Sequence, residues 1–492
     1  MKLCLNWKPA SRNDKARTGT RDGEHGIWGC FNQTIRETDS KEIPQRRNLR
    51  AMTESIEELN KERVSSEPFG RIVADGHNTA VTLLTGGGDR PYAFGLATEL
   101  IRSGAVLDLI GSDELDSPEF HGKPQVRFLN LRGDQRPGVG TANKVLRVLS
   151  YYWKLIRYAL TSQPRIFHIL WNNKFQFFDR TALMLYYRAL RKRIVLTVHN
   201  VNAGRRDSKD SAWNRLTLRI QYHLADHLFV HTEKMRLELS EEFGVRKSHV
   251  TVVPFGINNA VPNTTLTPAE AKQRLSIEEH EKTLLFFGNI APYKGLEHLV
   301  DAFREVLGRD KSYRLIIAGR PKDCEKYWEG IQASIQSDLQ TGKILLKAEY
   351  IPDAETEVYF KGSDVLVLPY THVYQSGVLF LAHSFGLPVL AADVGCLGDE
   401  IVEGKNGFVF KARNSVDLAG SVERYFSSSL YRHLDQRRDE IRRCAARQHS
   451  WEIVGRMTME VYGALLGFAK RNETQNFESA DALHHTNTPR QT

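Results

Sequence analysis

Short, continuous apolar runs alternate with helical patterns twice along this chain, and a polar linker divides the two series. The first series comprises residues 79–84, 106–110, 126–130, 166–170, 194–198, 227–230 and 250–253; the second comprises 283–287, 313–318, 343–347, 363–369 and 388–392. A short run that is mostly apolar, without strict alternation, suits a strand covered on both faces, which is the condition of a parallel sheet. Helical patterns between such runs supply the crossovers that parallel strands require. The expected class is therefore α/β, with two Rossmann-like, doubly wound domains facing each other across a cleft. Their expected bounds are 76–265 and 283–440, with a linker at 266–282 that carries a short helix after Thr267. A docking helix is expected within 441–470. Residues 1–75 and 471–492 are polar and are expected to be disordered, and Met52 stands as an alternative start.

Ligands of such sheets bind beyond the carboxyl ends of the strands, so the loops there carry the candidate chemistry. The first strand runs into Thr85-Gly86-Gly87-Gly88-Asp89, where backbone can approach a ligand closely. This loop has neither the Gly-Lys-Ser/Thr of a Walker loop nor the spacing of a GxGxxG fingerprint. Near residue 369 a strand ends in a polar loop, and a helix opens on Gln375-Ser376-Gly377. A helix start there presents free N–H groups and a positive dipole end, which suits phosphate. The same residues also suit an ordinary strand–loop–helix unit with a serine N-cap.

The formal charge of +9 points to an acidic partner, for which nucleic acid, anionic lipid and nucleotide substrates all qualify. The charge is dispersed and no nucleic-acid module is present, so nucleic acid is not expected. Cys4, Cys30, Cys324, Cys396 and Cys444 are scattered without CxxC spacing. That argues against a disulfide framework or zinc site and for a reducing, cytoplasmic setting. Between Lys144 and Thr161 the sequence KVLRVLSYYWKLIRYALT interleaves cations with aromatic and aliphatic residues at helical spacing. It reads either as a core helix with a solvated basic face or as a surface helix resting on anionic headgroups at the inner face of a membrane.

Four features of the second series occur in a fixed order: FFGNIAPYKGLEHLVDAF, LIIAG, DVLVLPY and QSGVLFLAHSFGLPVLAADVGCLGDEIVEGKNGFVF. The ordered set resembles the family 4 (group 1) retaining glycosyltransferases of the GT-B fold. The first series carries the resemblance more loosely, through the glycine loop, 196–200 (LTVHN), 226–231 (DHLFVH) and 253–257 (VPFGI). The resemblance implies a nucleotide-sugar donor held by the second domain. It also implies a hydroxyl acceptor, such as a glycan or lipid-linked saccharide, held by the first.

Residue by residue, the family's phosphate-binding lysine falls on Lys294, where a cation would offset charge on the leaving diphosphate. The loop's glycine is Gly288. The arginine that usually follows it is replaced by Asn289, and Arg320 is a conceivable substitute. Relatives keep one Glu before the later helix and another within it; here those positions fall on Val373 or Tyr374 and on Leu381 or Ala382. Gln375, Ser376 and Gly377 are expected to take over the local contacts, as in QSGV-type members, with Glu400 at a position where relatives keep a Glu. The family's strand-end histidine is His199, followed by Asn200; it would bind donor sugar or orient the acceptor. His168 is a further candidate for the first domain's cleft, alongside Gly86, Gly87 and Gly88.

The implied reaction is hydroxyl attack on the anomeric carbon with retention, and with no cofactor. No DxD-like motif stands at a convincing place, so metal independence is expected. An epimerase or phosphorylase of the same fold fits the motif order less well. The missing acidic pair leaves a non-catalytic sugar- or nucleotide-binding protein as the alternative.

Overall fold

The computed structural model describes residues 79–86, 90–133, 141–207, 209–257 and 261–467. The expected disorder of 1–75 and 471–492, and Met52, lie outside the described residues.

The first sheet has seven parallel strands: β1 (Ala80–Leu84), β2 (Val106–Gly111), β3 (Val126–Asn130), β4 (Ile166–Ile169), β5 (Arg193–Thr197), β6 (His227–Val230) and β7 (Val250–Val252). Their spatial order is β3-β2-β1-β4-β5-β6-β7. The second sheet has six: β8 (Lys282–Phe287), β9 (Tyr313–Ala318), β10 (Ile344–Lys347), β11 (Val365–Leu368), β12 (Val389–Ala392) and β13 (Gly407–Phe410), in the order β10-β9-β8-β11-β12-β13. Every expected strand is present. β13 is an addition: it pairs along β12 from Val389↔Gly407 to Ala392↔Phe410.

Each sheet reverses its winding once, between β1 and β4 and between β8 and β11. Loops after strands that flank a reversal splay apart and leave a crevice. β1 is in register with β4 (Leu84↔Ile169) and β8 with β11 (Leu285↔Leu366), so the loops leaving each pair start level with one another. The loops singled out in the sequence, after β1, β8 and β11, are therefore the ones that topology brings to the ligand crevices.

Both faces of each sheet are packed. Leu284, Phe286, Leu315, Ile317, Val365 and Val367 join the Leu296–Arg309 helix in one core of the second domain. Burying such side chains fully stabilises by roughly 1.5–3 kcal/mol each. The linker is anchored rather than loose. Thr267 and Glu270 form a capping box on the Pro268–Arg274 helix, and Lys272 pairs with buried Asp364, just before β11, at 3.2 Å.

The Trp451–Leu466 helix returns to the first domain and packs on the Arg90–Arg102 helix. Trp451 fills the space that Gly95 and Gly256 leave open: a Cβ at either would lie 2.1 or 2.5 Å from its ring. Its Nε1–H donates to the Ile257 carbonyl at 2.7 Å. The helix's Tyr462 meets His168 of β4 at 2.6 Å.

Candidate active site

Lys294 ends a short 3-10 turn, Pro292–Lys294, in the loop after β8. The next residue, Gly295, has φ +63°, and a Cβ there would lie 2.2 Å from the Pro369 carbonyl oxygen. Only glycine permits that approach, which clamps the lysine turn against the end of β11. Lys294 is buried, with 6 % of its surface exposed, yet it forms no ion pair among the described residues. Its ammonium lies 5.1 Å from the Tyr370 ring centroid and 3.2 Å from where a Gly288 Cβ would be. Burial pushes its pKa down from the ordinary value, and Arg206 works in the same direction.

Arg206 belongs to the Ala203–Arg206 helix of the first domain, and its guanidinium stacks over Tyr293 with 4.9 Å to the ring centroid. The same guanidinium donates to both carboxylate oxygens of Asp207, at 2.7 and 3.0 Å, so a first-domain ion pair borders the lysine turn. This corrects the substitute proposed for the missing loop arginine. Arg320 is exposed and lies over Tyr350 instead, 5.8 Å from the ring centroid. The loop geometry explains this, because β9's end is drawn alongside β8's by the Arg320 carbonyl, which accepts from Ile290 N–H at 2.8 Å. Asn289 is exposed at the tip of that loop.

Ser376 is the N-cap of the Gly377–Ser384 helix, but its side chain caps nothing. Its buried Oγ lies 3.4 Å from Tyr370 Oη. The helix start is thus left for another acceptor. Both amide atoms of Gln375 are buried without a partner, as is Nε2 of His372 in the same loop. A buried polar atom left unpaired costs about 1–3 kcal/mol, so these groups are candidates for contacts to a ligand. The positions where relatives keep Glu are filled otherwise. Val373, Leu381 and Ala382 are buried in the apolar core. Tyr374 donates to Glu238 of the first domain at 2.8 Å. Glu400 meets His449 Nε2 at 3.5 Å, and His449 packs on Phe380 of the same helix.

In the first domain, Gly86 has φ +64°, and a Cβ there would lie 2.3 Å from the Trp171 carbonyl oxygen. Gly87 and Gly88 lie outside the described residues. Trp171 stacks on His199 with 4.2 Å between ring centroids, and Tyr92 meets the histidine edge-on at 4.7 Å. His199 Nδ1 lies 3.0 Å from His231 Nε2, whereas its Nε2 is buried with no partner among the described residues. Burial, then the neighbouring histidines, holds its pKa well below the ordinary value, so the ring is neutral. Asn200 follows at the same strand end, half-buried.

His168 does not join them. It is fully enclosed, with Nδ1 on Tyr462 at 2.6 Å and Nε2 on Thr197 Oγ1 at 2.8 Å. Both nitrogens are satisfied inside the core, so His168 ties the C-terminal helix to the sheet rather than lining the cleft. Sequence reasoning missed Arg206, Glu238, His231 and His372. The run after His199, Asn200 to Arg206, was the available signal for Arg206.

The two domains meet through these loops. Lys234 donates to the Gly395 carbonyl at 2.7 Å, and Arg90 pairs with Asp353 at 3.4 Å. Among the described residues, the second domain thus contributes a buried cation and a helix start without a side-chain cap, and the first contributes a histidine whose Nε2 has no partner.

A family model described as "Glycosyl transferases group 1" matches residues 281–428, and one described as "Glycosyltransferase Family 4" matches 86–261. The chain belongs to the family 4, group 1 glycosyltransferases. It is 22% identical over 356 residues to the D-inositol 3-phosphate glycosyltransferase of Rhodococcus erythropolis, covering 68% of this chain and 78% of the relative. It is 23% identical to an uncharacterised glycosyltransferase of Methanocaldococcus jannaschii, covering 76% and 94%. Among solved structures, sucrose-phosphate synthase from Thermosynechococcus elongatus aligns with a TM-score of 0.63 at 16% identity, covering 79% of this chain and 99% of that one. Anabaena HepE in complex with UDP-glucose aligns at 0.59 and 14%, covering 79% and 100%. These neighbours share the GT-B fold, and this glycosyltransferase has its two parallel-sheet domains in that arrangement.

Proposed function

We propose that this glycosyltransferase moves a sugar from a nucleoside diphosphate donor to a hydroxyl acceptor, with retention at the anomeric carbon and without a metal. The observation that carries the donor reading is Lys294, a buried ammonium with no carboxylate partner among the described residues, set beside a helix start without a side-chain cap. A buried cation costs free energy unless an anion joins it, and a diphosphate is an anion of the right size and charge. As the glycosyl–oxygen bond breaks, the electron pair goes to the diphosphate oxygen. Lys294, Arg206 and the helix start stabilise that charge without reorganising. Gln375 and Ser376 fit the donor's phosphate or sugar, which is the QSGV-type solution to the missing acids. Retention is read from the family motif set.

The acceptor reading rests on the first domain. The 21-residue Thr141–Thr161 helix has no acidic residue, and it buries Tyr151, Tyr152, Leu155 and Ala159. Its other side exposes Val145, Leu149, Trp153, Ile156 and Leu160, one stripe at helical spacing. Lys144, Lys154 and Arg157 flank that stripe. Beside its first turns is a pocket lined by Arg132, Lys144, Arg147 and Lys174 around Tyr151 and Asn173. An apolar stripe bordered by cations suits an anionic bilayer face, and the acceptor is then a glycan or saccharide on a lipid anchor.

The deciding experiment is a thermal-shift screen against nucleoside diphosphates and nucleotide sugars, followed by donor hydrolysis and transfer assays. Stabilisation by one nucleotide family together with turnover supports the reading. Binding without turnover reverts it to a sugar-nucleotide-binding protein.

A further inference from the structure

His231 lies one strand over from His199 and is not part of the donor wall. It is buried, with Nδ1 3.3 Å from the Val253 carbonyl oxygen and Nε2 3.0 Å from His199 Nδ1. A carbonyl oxygen can only accept, so His231 Nδ1 carries the hydrogen. A neutral imidazole has one N–H, so His231 Nε2 is an acceptor. The hydrogen between the two rings therefore sits on His199 Nδ1. That leaves a lone pair, and no hydrogen, on His199 Nε2, the buried atom without a partner. Two hydrogen bonds thus link a backbone carbonyl to the His199 ring, and each fixes where its hydrogen sits.

We infer that His231 is a positioning residue that holds His199 in the tautomer with a bare Nε2, so that the cleft accepts a hydroxyl hydrogen from the bound sugar and disfavours a carboxylate or a deoxy carbon there. The inference rests on the sugar-nucleotide reading above. Stacking on Trp171 and the edge of Tyr92 fix the ring plane, so tautomer is the remaining freedom, and His231 removes it. Burial lowers the pKa of His231 to about 4, so the relay is neutral at ordinary pH. A site built to accept a hydroxyl hydrogen discriminates strongly against an analogue lacking it, because the acceptor is then left unpaired.

The test is ¹⁵N NMR of histidine-labelled full-length protein, with His199 and His231 assigned by single substitution. It is paired with binding of UDP and UDP-glucose, or of the nucleotide pair the screen selects. The expected result is His199 protonated at Nδ1 and bare at Nε2. H231F should lose that tautomer preference and weaken nucleotide-sugar binding about tenfold, the scale of one hydrogen bond. It should leave nucleoside diphosphate binding unchanged. H231Q, whose amide can accept from His199 and donate to Val253, should restore both. A wild-type His199 carrying its hydrogen on Nε2 would overturn the proposal without any variant. So would an H231F protein with unaltered tautomer and unaltered sugar-nucleotide affinity. If no nucleotide binds at all, the donor reading fails, while the tautomer still decides the relay.

Discussion

Arg206 of the first domain lies over the ring of Tyr293 of the second, 4.9 Å from guanidinium carbon to centroid, and Tyr293 adjoins Lys294. The contact places a first-domain cation beside a second-domain one. Arg206 is held by Asp207, at 2.7 Å, and a diphosphate bound at Lys294 would give it a second anionic partner. Arg206→Ala should raise the Michaelis constant for donor about tenfold, the scale of one charge-assisted contact. Steady-state kinetics on the donor identified by the screen would check this. An unchanged constant would remove Arg206 from the donor wall.

Lys294 should trade stability for activity. Its buried ammonium has no ion-pair partner among the described residues, so Lys294→Met relieves a penalty while removing the charge that the leaving group needs. The thermal midpoint is expected to rise, and turnover to fall by about 10²–10³, the usual effect of losing one preorganised electrostatic contact. Calorimetry and initial rates on the same preparation would show it. A variant that is both less stable and fully active would refute the assignment.

Gly295→Ala tests the clamp that aims the lysine. The substitution forces a Cβ towards the Pro369 carbonyl at a positive φ. It should destabilise by about 1–3 kcal/mol. It should also impair turnover although no charge is altered. Urea melts together with kinetics would separate this from a neutral loop change.

Acid should unfold the protein through its buried histidines. Burial holds His168 at about 3 and His231 at about 4. The unfolded chain takes up those protons near pH 6.5, and the native state does so only at the lower values. Stability is therefore complete above about pH 6.5. It falls as the pH drops towards 4, by up to about 1.4 kcal/mol per pH unit for each histidine. His168→Gln should flatten that slope even where it lowers stability at pH 8. Denaturant melts across pH 4–8 would reveal an unaltered slope if His168 is not involved.

The strands were readable because most parallel strands here are buried on both faces and leave short, mostly apolar runs. β13 escaped because it is four residues long, opens on Gly407 and pairs on one side only, with Phe408 and Val409 half-buried. Lys294 and Ser376 were readable because local motifs surround them. His168 was not, because its role depends on Tyr462, 294 residues later in the chain. Arg206, Glu238 and His231 stayed hidden for the same reason. Each gains its meaning from a partner on another element, and short-range pattern does not record which loops the two sheets bring together. The helix between Lys144 and Thr161 was legible in composition but not in orientation. One side enters the core and the other, with its apolar stripe, remains exposed, and local sequence pattern does not record which residues face which way.

That exposed side carries the last prediction. Val145 and Leu149 are about half exposed at 52% and 53%, while Trp153 and Leu160 reach 62% and 64%. Arg157 lies over the Trp153 ring at 5.5 Å, so an aromatic ring and a cation share one surface. Apolar burial and headgroup attraction would act together there, and only the second is screened by salt. The full chain should co-sediment with vesicles containing phosphatidylglycerol and much less with pure phosphatidylcholine, and added salt should weaken the binding in part. Leu149→Ser combined with Trp153→Ser should lower the salt-resistant fraction while leaving soluble donor hydrolysis intact, because neither residue lies in the cleft. Lys154→Gln with Arg157→Gln should instead lower the salt-sensitive fraction. Failure to bind anionic vesicles at low ionic strength would refute the membrane reading and leave a soluble acceptor as the substrate.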